Sequence, residues 1–354
     1  MPAGYNRAMP ATRFLSVSDM RALLTEVGVT GAIRGTLAQM EADFRRWNDF
    51  EKCPRTANHS SVGVIELMPV SDKEEFSFKY VNGHPTNFQF DLMTVMAFGV
   101  LAKMETGFPV LLSEMTLLTA VRTAAASVMA AKVLARKDSR TMAMIGNGAQ
   151  AEFQILAFHD LLGINRVHLF DTDPDATKKL QANLAGVEGL ELIAYGSTAE
   201  AVRGVDIITT CTADKTLATI LTQDMIEPGM HLNAIGGDCP GKTELETAIV
   251  PQCRVVVEFA PQSRVEGEIQ HMPADFPVIE LWEILTGKSP GRTSETEVTL
   301  FDSVGFALED FSALKYVYAE AIQRGIGSEI ELMPTLSNVK DLFGLLQVAS
   351  STKR

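Results

Sequence analysis

Two short stretches carry residues whose types and spacing could do chemistry. In "AMIGNGAQAEFQ", Gly146 and Gly148 stand one residue apart and a small Ala151 follows three positions later. An apolar run precedes this stretch and a helix-like run follows it. The next apolar run, "RVHLFDTD", reaches an acid at Asp171, close to the ~20-residue spacing of a dinucleotide-binding βαβ unit. Gly146 would make the tight turn, Gly148 would let backbone approach a pyrophosphate, and Ala151 would permit close helix packing. Free N–H groups at the helix start then face the phosphates. A carboxylate at 171 suits a free ribose diol and repels a 2′-phosphate, which favours NAD over NADP. A bare strand-to-helix turn explains the same residues only if the whole βαβ context is coincidence. The second stretch, "NAIGGDCPGKTEL", sets Asp238 after two glycines and before Cys-Pro-Gly-Lys. Glycine is costly to order, so an acid held there reads as a proton donor and acceptor, or as a cap on a following helix.

A third set is cationic. In "FSFKYV", Phe76, Phe78 and Tyr80 alternate onto one face of a strand and send Lys79 to the other. The pattern alone does not distinguish that lysine from a solvated one. Arg122 lies four residues after Leu118 in a segment built, apart from Lys132 near its end, from Ala, Leu, Val, Thr, Ser and Met, close to its apolar stripe. A guanidinium there requires an anionic partner, either a ligand or a carboxylate of the chain itself. Arg55 and Glu66 flank "TANHSSVGVI", where His59 reads as a hydrogen-bonding residue. Together Arg55, Lys79 and Arg122 would suit a small carboxylate, which arginine binds bidentately.

The elements that must position these groups fall into two rhythms. Residues 18–50 read as helix, with Ser18 and Thr30 as candidate N-caps. From about 62 to 115 come short apolar or alternating runs, "VGVIELMPV", "EFSFKYV", "MTVMAFGVLA" and "FPVLLSE", and "KMETG" links the last two as a hairpin. Residues 116–135 are Ala-rich without Gly or Pro, hence a long helix. Beyond it, "TMAMIG", "RVHLFD", "LELIAY", "VDIITTCT", "MHLNAIG", "RVVVEF" and "VTLFDSVG" alternate with helix-like segments, which predicts a parallel sheet covered on both faces. A last helix at roughly 306–324 and a polar tail close the chain. The expectation is an α/β protein: a Rossmann-type doubly wound domain over 131–305 and an α+β domain over 1–130, with 306–354 returning to the latter.

With 354 residues, 46% hydrophobic and 21% charged, the composition is that of an ordinary globular protein. A net charge of −13 argues against nucleic acid or an anionic membrane surface as partner. No uninterrupted apolar run approaches the ~20 residues of a membrane span, and "MPAGYNRAMPATR" has no apolar signal core, so it reads as a loose tail on a cytoplasmic protein. Cys53, Cys211, Cys239 and Cys253 form no CxxC pair, and no metal site is expected. Cys239, with no base near it in sequence, reads as small packing.

With these residues in hand, the chain resembles the ornithine cyclodeaminase/μ-crystallin family. The resemblance runs through "NHSSVGVIELMPVSDKEEFSFKYVNGHP", "VMAFGVLAKMETGFPVLLSEMTLLTAVRTAA", "AMIGNGAQAEFQ", "HLNAIGGDCPGKTEL" and "FDSVGFALEDF". It implies that Arg55, Lys79 and Arg122 hold the substrate α-carboxylate, that Glu66 and Val304 line the substrate pocket, and that Asp238 is the catalytic carboxylate. It also implies NAD contacts at Thr94, Arg122, Ala149, Gln150, Asp171, Thr212, Lys242 and Ser303, beside Gly146 and Gly148. Lys242 taken alone could be a solvated cation. A homodimer formed through strands of the first domain is the implied assembly.

The family reaction is L-ornithine to L-proline and ammonia, with NAD⁺ regenerated in each turnover. It needs a clamp that turns Cα–H toward the nicotinamide, and a group that takes and returns amine protons. Competing readings are a lysine cyclodeaminase, an imine reductase or amino-acid dehydrogenase with net cofactor turnover, and a non-enzymatic NAD(P)H-binding protein.

Overall fold

The computed structural model describes residues 11–212 and 218–346. Residues 1–10 of the tail expected over 1–13 lie outside the described residues, as do 347–354. The end of that expected N-terminal tail is ordered: β1 (Thr12–Leu15) begins within it. The helical stretch divides into α1 (Val17–Val27) and α2 (Val29–Arg45). Neither expected cap holds. Ser16 caps α1 reciprocally, its side chain accepting from Asp19 N while the Asp19 carboxylate accepts from Ser16 N. The break before α2 is Gly28, whose φ of +80° is the left-handed region that glycine enters at little cost. Ser18 and Thr30 fall inside the helices.

Then follow β2 (Glu51–Lys52), β3 (Thr56–His59), β4 (Val64–Ser71), β5 (Glu75–Gly83), β6 (Ala97–Lys103), β7 (Pro109–Glu114) and α3 (Thr116–Leu134). The run expected from 93 starts as strand only at Ala97, because 85–90 form a short 3₁₀ turn. The alternating segment comprises β8 (Thr141–Ile145), α4 (Ala151–Leu162), β9 (Arg166–Phe170), α5 (Pro174–Leu184), β10 (Glu191–Ala194), α6 (Thr198–Ala201), β11 (Ile207–Thr210), β12 (His231–Ala234), β13 (Arg254–Val257), α7 (Ala260–Glu266), β14 (Ile279–Glu280), α8 (Leu281–Leu285) and β15 (Thr299–Asp302). The chain ends in α9 (Ala307–Arg324) and β16 (Ser328–Ile330). The segment after β16 was expected to be polar, yet it exposes Leu332, Met333, Leu342 and Phe343.

Two sheets result. The first runs β16-β1-β7-β6-β5-β4-β2, with β3 also on β4. It is antiparallel except where β1 joins β7, and the 103–107 link closes the β6–β7 hairpin through Gly107 N to Lys103 O. The second is parallel throughout in the order β10-β9-β8-β11-β12-β15-β13-β14. From β8 the chain winds outward through β9 and β10, then reverses to β11 on the other side of β8. That reversal is the topological switch point at which ligands bind beyond the carboxyl ends of the strands.

One apolar core joins the sheets, running from Leu15 and Phe44 through Leu118 and Phe311 to Phe158, Leu169 and Phe301. Trp47 stacks on Trp282 at 6.1 Å and also touches Phe44, Phe259 and Phe306. Helix α3 is apolar and long enough to cross a bilayer, but 78% of that window is buried within the protein, which makes it the central core helix. The covered face of the first sheet lies under α9. Its other face is apolar and open, with Ile65, Leu67 and Phe98 exposed and Tyr80 stacked on Phe98 at 5.0 Å.

Candidate active site

The carboxyl edge of the parallel sheet carries most of the residues singled out above. After β8, Gly146 has φ +95°, and a Cβ there would lie 2.4 Å from Cys211 O, so only glycine fits. Gly148 faces open space. Asp171, just past β9, accepts from Asn147 N at 2.6 Å and ties the two strand ends together. Helix α4 starts at Gln150 without a side-chain cap, and Gln150 Oε1 is buried with no hydrogen-bond partner. Uncapped amides and an open glycine fit a dinucleotide pyrophosphate lying across this turn, while Gln150 Oε1 is left to accept from a donor group. Ala149 is exposed and Gln150 half-buried beside it. Thr94 sits apart in sequence on the 91–96 loop, its carbonyl accepting from His84 N.

The cations converge from three elements. Arg55, in the approach to β3, puts Nη1 on Glu66 of β4 at 2.9 Å and Nη2 on the carbonyls of Val304 and Gly305. Its Nε is 3.1 Å from Glu266 at the end of α7. Gln262 fixes the backbone here, accepting from Arg55 N and donating to Gly305 O. Lys79 of β5 is 1% exposed and pairs with Asp310 at 2.8 Å. The aromatic face of β5 is therefore the open one, and the face that carries Lys79 is the covered one. Arg122 of α3 reaches Glu309 at 2.6 Å and Asp310 at 3.1 Å. Its anionic partners thus belong to the chain, at the first turn of α9. Gly305 lets the guanidinium lie against backbone, since a Cβ there would come within 2.7 Å of it.

Burial opposes charge on Arg55, Lys79, Arg122, Glu266 and Glu309. It lowers Lys79 to about 8, against the pull of Asp310 and with the push of Arg122. It raises Glu266 to about 7 and Glu309 to about 8, with arginine partners resisting in each case. On Arg55 and Arg122 the facing carboxylates outweigh burial, and both guanidinium groups are held above their usual value. Among the described residues, Arg55 Nε, Arg122 Nε, Glu266 Oε2, Glu309 Oε1 and Asp310 Oδ2 are all buried without an aligned hydrogen-bond partner. A cluster of unsatisfied donors and acceptors at one spot suits a small zwitterionic ligand.

Asp238 follows β12 and is the exception among these acids, with its side chain 54% exposed. Lys242, 6% exposed, lies 3.5 Å from it and donates to Thr212 O at 3.0 Å. The glycine pair before Asp238 has protein as its immediate neighbours. A Cβ on Gly236 would lie 2.1 Å from the Glu244 carboxylate, and one on Gly237 would lie 2.8 Å from Glu268 Oε1. These acids form a descending ladder. Asp302 accepts from Glu268 N and Ile269 N, Glu268 from Glu244 N and Leu245 N, and Glu244 from Thr212 N and its hydroxyl. Burial raises Asp302 to about 7 and Glu268 to about 8. Ser303 gives its hydroxyl to Glu258, and Val304 N points at the same carboxylate.

The structure thus brings Arg55, Glu66, Lys79, Arg122 and Val304 into one pocket, with Asp238, Lys242, Thr212 and Ser303 on the adjoining sheet edge. Sequence reasoning missed Glu244, Glu258, Glu266, Glu268, Asp302, Glu309 and Asp310. Two of them end apolar strand runs, "VVVE" and "TLFD", where a carboxylate at a parallel strand's carboxyl end was the available signal.

Fold and site together define a Rossmann-type α/β protein whose first, largely antiparallel sheet brings a charged cluster to the ligand-binding edge of the parallel one. The chain belongs to the ornithine cyclodeaminase/mu-crystallin family, whose model matches residues 17–325. It is 54% identical over 333 residues to the ornithine cyclodeaminase of Brucella suis biovar 1 (strain 1330), covering 94% of this chain and 93% of that one. Among solved structures, a lysine cyclodeaminase described for its recognition of L-lysine, L-ornithine and L-2,4-diaminobutyric acid superposes with a TM-score of 0.88 at 28% identity, over 95% of this chain and 99% of its own. An archaeal alanine dehydrogenase dimer with bound NAD superposes with a TM-score of 0.82 at 31% identity, over 91% and 99%.

Proposed function

We propose that this protein is an ornithine cyclodeaminase that converts L-ornithine to L-proline and ammonia with NAD as its recycled cofactor. The observation that carries the reading is the meeting of the Arg55–Lys79–Arg122 cluster with the solvent-accessible carboxylate of Asp238 beside the glycine turn. High identity to a named ornithine cyclodeaminase across nearly the whole chain supports it. The chain divides functionally into a substrate and dimerisation domain, 1–130 with 306–354 returning, and an NAD-binding domain, 131–305. The return of α9 and β16 to the first sheet supports that division, although the 130/131 boundary falls within α3.

Each residue then has a task. Arg55, Lys79 and Arg122 bind the substrate carboxylate, with Glu66 and Val304 lining the pocket, so that Cα faces the sheet edge. NAD, which the Gly146–Gly148 turn and Asp171 would hold, would supply reversible hydride acceptance at the substrate carbon. Asp238 takes a proton from the α-ammonium, because carbon bearing an ammonium cannot lose hydride, and returns it to the departing ammonia. Gly146, Gly148, Ala149, Gln150 and Asp171 hold the dinucleotide, with Thr94, Arg122, Thr212, Lys242 and Ser303 as its further contacts. The open apolar face of the first sheet, around Ile65, Leu67 and Phe98, pairs two copies into a homodimer.

Incubation with L-ornithine and a catalytic amount of NAD⁺ tests the reading. Proline and ammonia should accumulate in equal amounts with no net NADH. Stoichiometric NADH without proline would turn the assignment to a dehydrogenase. Preferential conversion of L-lysine would turn it to the cyclodeaminase with the longer substrate, since one methylene is worth only about 1–3 kcal/mol in a pocket.

A further inference from the structure

The pairing between Arg55 and Glu266 is incomplete in a way the other pairs are not. Arg55 Nε and Glu266 Oε2 lie 3.1 Å apart with both side chains 6% exposed. Among the described residues neither atom has an aligned hydrogen-bond partner. The remaining guanidinium nitrogens are committed, Nη1 to Glu66 and Nη2 to two backbone carbonyls. Glu66 therefore braces Arg55 through an aligned hydrogen bond, whereas Glu266 merely faces it. Burial drives the Glu266 carboxyl up to about 7, Arg55 opposes this, and Glu66 and Asp238 add to it. Glu266 is thus an acid at the end of α7, turned into the pocket and exchangeable.

A diamino acid brings one carboxylate and two ammonium groups. The carboxylate is answered by the cation cluster and one ammonium by Asp238, which leaves the distal ammonium without a counter-charge. We propose that Glu266 is the specificity-determining acceptor of that distal ammonium, reached by exchange of partners: the substrate carboxylate engages Arg55 while its far ammonium takes over Glu266. The exchange conserves charge, because one buried ion pair opens and two form with a ligand of matching signs. A monoamino acid offers the carboxylate and the α-ammonium but no distal ammonium, and so leaves Glu266 buried without a partner, a mismatch that polar sites reject strongly. This inference rests on the reading of the pocket as a diamino-acid site.

The test is equilibrium dialysis of labelled L-ornithine and L-norvaline, which lacks the distal amine, against the NADH-loaded full-length protein, in which hydride transfer is blocked. E266Q should lose at least tenfold in ornithine affinity while norvaline affinity stays within twofold of wild type. E266D, which keeps the charge one methylene back, should recover part of the ornithine affinity and serves if E266Q fails to fold. Equal losses for both ligands would show that Glu266 only braces Arg55, and unchanged ornithine affinity would show that it plays no part; either overturns the proposal. Wild-type protein that binds neither amino acid would remove the diamino-acid reading itself, and this inference with it.

Discussion

At the scale of single residues, the pocket is a set of buried charges that tolerate one another only in pairs. Asp310 serves both Lys79 and Arg122. Asp310→Asn should cost about 3–5 kcal/mol in urea unfolding at pH 7, because it leaves the Lys79 ammonium buried without its partner. Lys79 is already depressed to about 8, and Asp310 is the group holding it up. Its loss lowers that lysine further, so the deficit relative to wild type should shrink as pH rises past 8, where both proteins hold a neutral amine. A deficit that stays constant to pH 9.5 would assign it to something other than the charge. Asp238 differs in kind, being half exposed and dispensable for packing. Asp238→Asn should leave NAD affinity within about threefold and lower kcat by at least about 100-fold, the range of a lost general acid–base group. Fluorescence titration with NADH and a proline assay separate the two quantities.

At the scale of elements, the loop after β12 is shaped from below. Asp302, Glu268 and Glu244 each grip the backbone of the next segment, and the ladder ends at Thr212. Gly236→Ala drives a methyl group into the Glu244 carboxylate at 2.1 Å. It should weaken NADH binding about tenfold, near 1.4 kcal/mol, through Thr212, while the helices and both sheets keep their circular dichroism. Unaltered affinity would mean that the ladder carries no load at the cofactor edge. The "GGD" glycines were plain in the sequence; their reason was not, because the acids they accommodate lie seven and 31 positions beyond Gly237, as Glu244 and Glu268. Strand and helix periods made the parallel sheet legible, since each run obeys a local rule. Helix starts were missed by two residues because Gly28 and Ser16 outcompete the residues inside them. Arg122 advertised its need for an anion, but the identity of that anion depended on how α9 crosses the first sheet, which no local pattern encodes.

At the scale of the whole molecule, the fold holds acids whose protons burial binds more tightly than water would. Glu266 and Asp302 are raised to about 7, and Glu268 and Glu309 to about 8. A raised carboxyl binds its proton in the folded state and releases it when unfolded, so its stabilising effect is complete below the ordinary carboxyl range and is lost as pH climbs through 7 to 8. The urea midpoint should accordingly fall between pH 5 and pH 8, and E268Q, neutral throughout, should flatten that slope. A midpoint that rises over this interval would mean that the acids are ionised and well paired in the folded protein. The partners in these clusters also lie far apart along the chain. Lys79 is separated by 231 residues from the carboxylate that neutralises it. A ribosome adding about 5–20 residues per second leaves that lysine waiting roughly 10–50 seconds for Asp310. The first sheet therefore cannot seal over Lys79 as it emerges. Its closure is deferred until the entire parallel sheet has been synthesised and the final helix arrives, so the earliest-made half of the protein is the last to become native.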